Sequence, residues 1–202
     1  MRSIRILGAS AGLIASLLVQ SADAARVGEP APAFNATGSD GRTHALADYQ
    51  GRFVVLEWTN ADCPFVRKHY DSGNMQALQK EAQVAGVTWL SVVSSAPGKQ
   101  GHVDAAQARQ LTEQRAASPS LVLLDEQGKV GRLYDARTTP HLFIIDPKGT
   151  LIYAGGIDDT PSADAADIPR SKNYVKVALG EALAGKPVSQ PVTRPYGCSV
   201  KY

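Results

Sequence analysis

Phe53-Val54-Val55-Leu56-Glu57-Trp58-Thr59-Asn60-Ala61-Asp62-Cys63-Pro64 decides the fold of this chain. Phe53 to Trp58 is apolar except for Glu57, as a strand buried on both faces of a parallel sheet requires. Pro64 suits the first turn of a following helix, where its missing N–H is no loss. Cys63 therefore falls at a strand-to-helix junction. Unpaired amides and partial positive charge at a helix start favour a thiolate, so the same stretch supplies a structural unit and a candidate nucleophile.

Working outward, the helix opened by Pro64 is predicted to run to about Ala85. Met75, Leu78 and Ala82 are spaced three and four apart, and Gly86 ends it. Val87 to Val93 reads as the next strand. Asp104 caps a helix over Ala105 to Ala117, Leu121 to Leu124 is a short strand, and Gly128 to Asp135 a brief helix. His141-Leu142-Phe143-Ile144-Ile145 and Thr150-Leu151-Ile152-Tyr153-Ala154 flank Asp146-Pro147-Lys148-Gly149, a hairpin signal. Asp158 to Pro169 is polar and reads as a surface insertion. A last helix spans about Ser171 to Ala184, with Val175, Leu179, Ala182 and Leu183 on one face. No period is evident after Pro187. Strand–helix–strand units followed by a hairpin give the α/β class, with a mixed central sheet covered by helices on both faces.

At the other end, Met1-Arg2-Ser3-Ile4-Arg5 is basic, Ile6 to Val19 is an uncharged run of 14 residues, and Ala22-Asp23-Ala24 is a small-x-small cleavage signature. These features predict a secretory signal peptide over residues 1–24. The run is shorter than the roughly 20 residues of a spanning helix, so no stable membrane insertion is expected after cleavage. The expected destination is a bacterial periplasm, where disulfides persist. The formal net charge of +2 gives no sign of nucleic acid as a partner. Two cysteines are too few for a disulfide scaffold, so packing must supply the core.

Several motifs, in order, resemble those of the thioredoxin-like superfamily, and more closely its redoxin branch of alkyl hydroperoxide reductase and thiol-specific antioxidant proteins. They are Val27-Gly28-Glu29-Pro30-Ala31-Pro32-Ala33-Phe34, Asp40-Gly41 with Leu46 and Gly51, Cys63-Pro64, Thr139-Pro140, and Phe143-Ile144-Ile145-Asp146 with Gly149. Asn60 to Tyr70, together with the Gly197-Cys198-Ser199-Val200-Lys201-Tyr202 ending, is similar to a secreted peroxiredoxin-like subgroup. The resemblance implies a thioredoxin-like (redoxin) domain over 25–187 and a tail over 188–202 that carries Cys198. It also implies a cis Thr139–Pro140 bond shaping a groove for a partner's extended segment. Two departures stand out. Val66 occupies the second position of the Cys-x-x-Cys of thioredoxins, so no local dithiol forms. Asn60, with Thr59 one residue further away, stands where peroxiredoxins carry Thr or Ser three residues before the peroxidatic cysteine.

The candidate site follows from both readings. Cys63 is the nucleophile. Arg67, four residues on, is placed to lower its pKa, and Arg137, on the loop expected to face Cys63, to orient a peroxide oxygen or stabilise the thiolate. Asn60 is either a donor to the substrate oxygen or a turn residue. Thr59, Pro64, Thr139 and Pro140 complete the expected substrate-binding set. Glu57 is either a proton shuttle under the thiol or a strand-end acid reaching solvent. His69 is expected on the surface. His44, His102 and His141 are isolated, and no metal or other cofactor is expected. Cys198 is either a resolving thiol that attacks a Cys63 sulfenic acid or a permanent staple. The expected function is an exported thiol oxidoreductase. Its partners would be a small peroxide or disulfide and a thiol reductant, protein or small molecule. Thiol–disulfide exchange and a non-catalytic binding module are the alternatives.

Overall fold

A computed structural model describes residues 24–202. Nearly all of the predicted signal peptide lies outside the described residues. The deciding stretch forms β3 (Val54–Trp58), every residue of which is buried. β4 (Thr88–Val93) pairs with it in parallel on one side, and β7 (His141–Ile145) antiparallel on the other. β5 (Leu121–Leu124) extends the parallel core beyond β4. The hairpin of β1 (Asn35–Gly38) and β2 (Thr43–Ala45) closes that edge, and β8 (Leu151–Gly155) closes the opposite one. The order is β2-β1-β5-β4-β3-β7-β8, a seven-stranded mixed sheet of thioredoxin-like type.

Strand alternation sorts β3 between two layers. Val54, Leu56 and Trp58 face α4 (Lys129–Leu133) and its flank, where Trp58 meets Phe143 edge-on at 5.1 Å. Val55 and Glu57 face the opposite layer, built by α1 (Pro64–Asp71), α2 (Asn74–Val84) and α5 (Tyr174–Leu183). α3 (Ala105–Gln114) opens with the expected cap: Asp104 Oδ1 accepts from the Gln107 amide at 2.8 Å, and Gln107 Oε1 accepts from the Asp104 amide at 2.9 Å.

Two expectations are corrected, and the tail that the sequence left unplaced is found docked. The single helix predicted from Pro64 to Ala85 is two helices. Gly73 sits at φ +77°, a conformation that ends α1 and starts α2, and the Ser72 hydroxyl donates to the Lys68 carbonyl at 2.7 Å. The apolar spacing of Met75, Leu78 and Ala82 belongs to α2 alone. The stretch from Asp158 to Pro169 is not wholly a surface insertion, because Asp158 is buried. The patternless tail is docked along its length. Val192 bridges Ala154, β9 (Cys198–Ser199) pairs antiparallel with β6 (Thr138–Thr139), and the Ala96 amide donates to the Lys201 carbonyl. Finally Tyr202 donates to the Ala136 carbonyl at 2.7 Å beneath the Arg132 guanidinium.

Candidate active site

Cys63 is the N-cap of α1, with Pro64 at the first helical position. Its amide donates to the Asn60 carbonyl at 3.1 Å, and its carbonyl accepts from Val66 and Arg67, which fixes the turn from β3 into the helix. The side chain is fully buried. As a thiol it donates to the Thr139 carbonyl at 3.2 Å. The Thr139–Pro140 bond is cis, as the resemblance implies. Thr139 in turn lies opposite Cys198 in the β6–β9 register. One carbonyl on the cis-proline loop thus receives Cys63, and its residue pairs with Cys198. Both cysteines are free thiols.

Their environments push the two thiols apart in acidity. Burial opposes ionisation of Cys63. The Cys198 thiol, the Thr139 side chain and the amides of Val66 and Cys198 outweigh it, and the pKa falls below the ordinary 9.0. Cys198 moves the other way, pushed up to about 11 by burial and by its neighbour Cys63. Cys63 is therefore the more acidic thiol of the two and Cys198 the less acidic. The Thr139 hydroxyl is buried and, among the described residues, has no partner at normal hydrogen-bond distance, so what it favours is negative charge on the neighbouring Cys63 sulfur.

Other predicted residues are not brought to the thiol. The Arg137 side chain is exposed and paired with Asp135, while its backbone carbonyl accepts from the Val200 amide. The Arg67 side chain points to solvent. Asn60 is the turn residue of the two readings: Oδ1 accepts from the Asp62 amide at 2.9 Å, and Nδ2 donates to the Gln100 carbonyl at 3.3 Å. Gly101 packs so closely on that amide that a Cβ there would collide with it. Glu57 does not reach solvent. It is fully buried and accepts from Tyr70, Gln79, Trp89 and Ser91. Thr59 borders a separate cavity against α3. Among the described residues, no group of three or more His, Cys, Asp or Glu side chains is placed to hold a metal ion.

His69 is not a surface histidine. It is fully buried in a cluster that sequence reasoning missed, with Lys68, Asp158 and Tyr196. Lys68 and Asp158 are 2% and 3% exposed and face each other at 3.5 Å. No local pattern marks them, because Asp158 lies in a polar run and Tyr196 in a tail without periodicity.

Burial holds the pKa of His69 and of His141 down to about 4. Above pH 6.5 both folded and unfolded chains carry neutral imidazoles. Between 6.5 and 4 the unfolded chain takes protons that the folded one refuses, so stability falls as the pH falls, by at most about 3 kcal/mol per histidine. Urea unfolding at about pH 7 and about pH 4.5 should show a smaller drop for His141→Gln than for the wild type. Equal drops would refute the assignment.

Residues 27–154 match the model of the AhpC/TSA family. That span ends before the tail and Cys198. No curated protein matches the chain. Among solved structures, an uncharacterized conserved protein from Geobacillus kaustophilus is 24% identical with a TM-score of 0.74, covering 88% of this chain and 92% of that one. A hypothetical protein from Sinorhizobium meliloti is 19% identical with a TM-score of 0.74, covering 89% and 96%. A putative thiol:disulfide interchange protein DsbE from Chlorobium tepidum is 24% identical with a TM-score of 0.52, covering 65% and 85%. At these identities the likeness establishes a shared fold.

Proposed function

The chain belongs to the AhpC/TSA family, and on that footing we propose that it is an exported thiol oxidoreductase of peroxiredoxin-like type, with Cys63 as nucleophile and Cys198 as resolving thiol. The observation that carries this reading is the β6–β9 register, which sets Cys198 opposite Thr139 while the Thr139 carbonyl receives the Cys63 thiol. Export is proposed from the leader over residues 1–24.

The Cys63 thiolate attacks one oxygen of a small peroxide. The O–O bond breaks, the distal oxygen leaves as water or an alcohol after protonation, and Cys63 becomes a sulfenic acid. The Cys198 sulfur then attacks the Cys63 sulfur, the S–O bond breaks, water departs and a disulfide forms. A thiol reductant, protein or small molecule, supplies two electrons and two protons to restore the pair. The spare Thr139 hydroxyl takes the part that Asn60 cannot, donating to the thiolate or to the attacked oxygen. A tail strand over a fully buried Cys63 favours a small oxidant over a folded partner while β9 is docked.

Alkylation of free thiols tests the reading. Mature protein given a peroxide pulse should lose both alkylatable thiols and regain them with a dithiol reductant. Cys198→Ser should stop at a trappable sulfenic acid, and Cys63→Ser should not react. If both thiols stay alkylatable after peroxide and after glutathione disulfide, the reading is wrong. A second reading, thiol–disulfide exchange, is favoured by Asn60, whose amide is tied into its loop where peroxidases of this family carry a hydroxyl. Faster oxidation of Cys63 by glutathione disulfide than by hydrogen peroxide would select it.

A further inference from the structure

The buried cluster on α1 makes its contact with the tail at Tyr196, two residues before Cys198. Asn74 Nδ2 donates to His69 Nδ1 at 2.8 Å, which leaves His69 Nε2 as the N–H that donates to the Tyr196 oxygen at 3.3 Å. The Tyr196 hydroxyl donates to Asp158 Oδ1 at 2.5 Å. The other oxygen of Asp158 faces Lys68 Nζ, which also donates to the Thr160 carbonyl at 2.9 Å. Phe65, in the first turn of α1, meets the Tyr196 ring edge-on at 5.9 Å. Beyond Tyr196 the chain needs Gly197, whose φ is +127° and whose missing side chain lets the backbone lie against the Thr139 carbonyl.

A buried ion pair is a poor device for stability, because apolar residues of the same volume usually do as well. Its value lies in fixing one arrangement. Here both charges lie under the tail, and the group they orient is the Tyr196 hydroxyl. α1 carries Cys63 at its start and Lys68 and His69 in its last turn, so one rigid helix holds the nucleophile and part of the grip on the tail.

We propose that the Lys68–Asp158–Tyr196–His69 cluster is a latch that positions Cys198 over Cys63, with the Tyr196 hydroxyl as its key positioning group. The inference rests on the reading of Cys63 and Cys198 as a redox pair. Docking of the tail and closure of the disulfide are then coupled, and each favours the other. No latch residue touches substrate. The latch acts by raising the effective concentration of one thiol at the other.

Equilibrium titration of full-length mature protein against reduced and oxidised glutathione measures that concentration. Tyr196→Phe keeps the ring and its packing on Phe65 and removes only the hydroxyl. It should lower the equilibrium constant for the Cys63–Cys198 disulfide by about tenfold, a rise of about 30 mV in potential. Tyr202→Phe loosens the far end of the tail and should stay within about twofold of the wild type. Should Tyr196→Phe fail to fold, Lys68→Met removes the charge facing Asp158, fills its space and should shift the equilibrium in the same direction. A Tyr196→Phe equilibrium equal to that of the wild type, or an equal shift from Tyr202→Phe, overturns the latch. A wild type that forms no Cys63–Cys198 disulfide at any glutathione ratio overturns the redox pair itself, a separate outcome.

Discussion

Glu57→Ala should lower the unfolding free energy by about 3–5 kcal/mol, among the largest losses expected from any single substitution in this chain. Glu57 is fully buried on β3. Oε1 accepts from Tyr70 at 2.8 Å, and Oε2 accepts from Trp89 at 2.8 Å, Ser91 at 3.0 Å and Gln79 at 3.3 Å. Alanine strands these donors in a dry interior and leaves a cavity between β3, α1 and α2. Glu57→Gln should cost far less, about 1–2 kcal/mol. Its Oε1 still accepts from Trp89 and Ser91, and its amide can donate to the Tyr70 oxygen. The pair of variants also carries a pH signature. Burial raises the Glu57 pKa above 4.5, against the four donors, which favour the anion. Between 4.5 and that raised value the folded protein holds a proton that the unfolded chain has lost. Wild-type stability should therefore fall relative to Glu57→Gln as pH rises through that window, and the two should run parallel below it. Urea unfolding across pH checks both parts. A loss near 1 kcal/mol for Glu57→Ala would show that the network is not held as the structure places it.

Glu57 illustrates what the sequence conveyed. An apolar run interrupted by one acid is legible as a buried strand, because burial on both faces demands the run. Which way the acid points follows from strand alternation, but what it meets does not. Tyr70, Gln79, Trp89 and Ser91 come from three other elements, and only the assembled βαβ unit brings them together. The split of the first helix was hidden for a related reason. Met75, Leu78 and Ala82 keep helical spacing within α2, and nothing in that period reports that Gly73 turns the chain before it.

The site divides in the same way. Cys63 and Pro64 were legible as local features, a strand end and a helix start, whereas the Thr139–Pro140 loop was legible only through the redoxin resemblance. Arg67 was read as a neighbour of the thiol from helical spacing, and Arg137 from its place on the loop expected to face Cys63. Both side chains instead reach solvent, where a guanidinium keeps its hydration, and Arg137 pairs with Asp135. The path of the tail was not legible at all. Its contacts are single residues meeting distant elements: Val192 at β8, Tyr196 at the Asp158 carboxylate, Cys198 at Thr139 and Tyr202 beside α4. Such a segment has no period to read, since no one face of it is buried.

That tail is the basis of the other large expectation. Deleting residues 196–202 should raise the alkylation rate of Cys63 by about 100-fold or more. The Cys63 side chain is fully buried, and Tyr196 and Cys198 both pack against its cluster. In the intact protein a reagent must wait for β9 to lift from β6. Docking worth about 3 kcal/mol would keep the open form near one part in 100. Gly197→Ala should act in the same direction and more weakly, because an added Cβ collides with the Thr139 carbonyl and pushes β9 away while the distal contacts of Tyr202 remain. Cys198→Ser separates the roof from the thiol. It leaves the strand in place, so Cys63 should stay slow, within about threefold of the wild type. Circular dichroism and urea unfolding establish that each variant keeps its folded body, and iodoacetamide labelling of Cys63 gives the rates. Equal rates for the deletion and the wild type, in a folded body, would mean that β9 does not cover Cys63 in solution. Tail opening would then play no part in admitting an oxidant, and Cys198 would have to reach the nucleophile by some other approach.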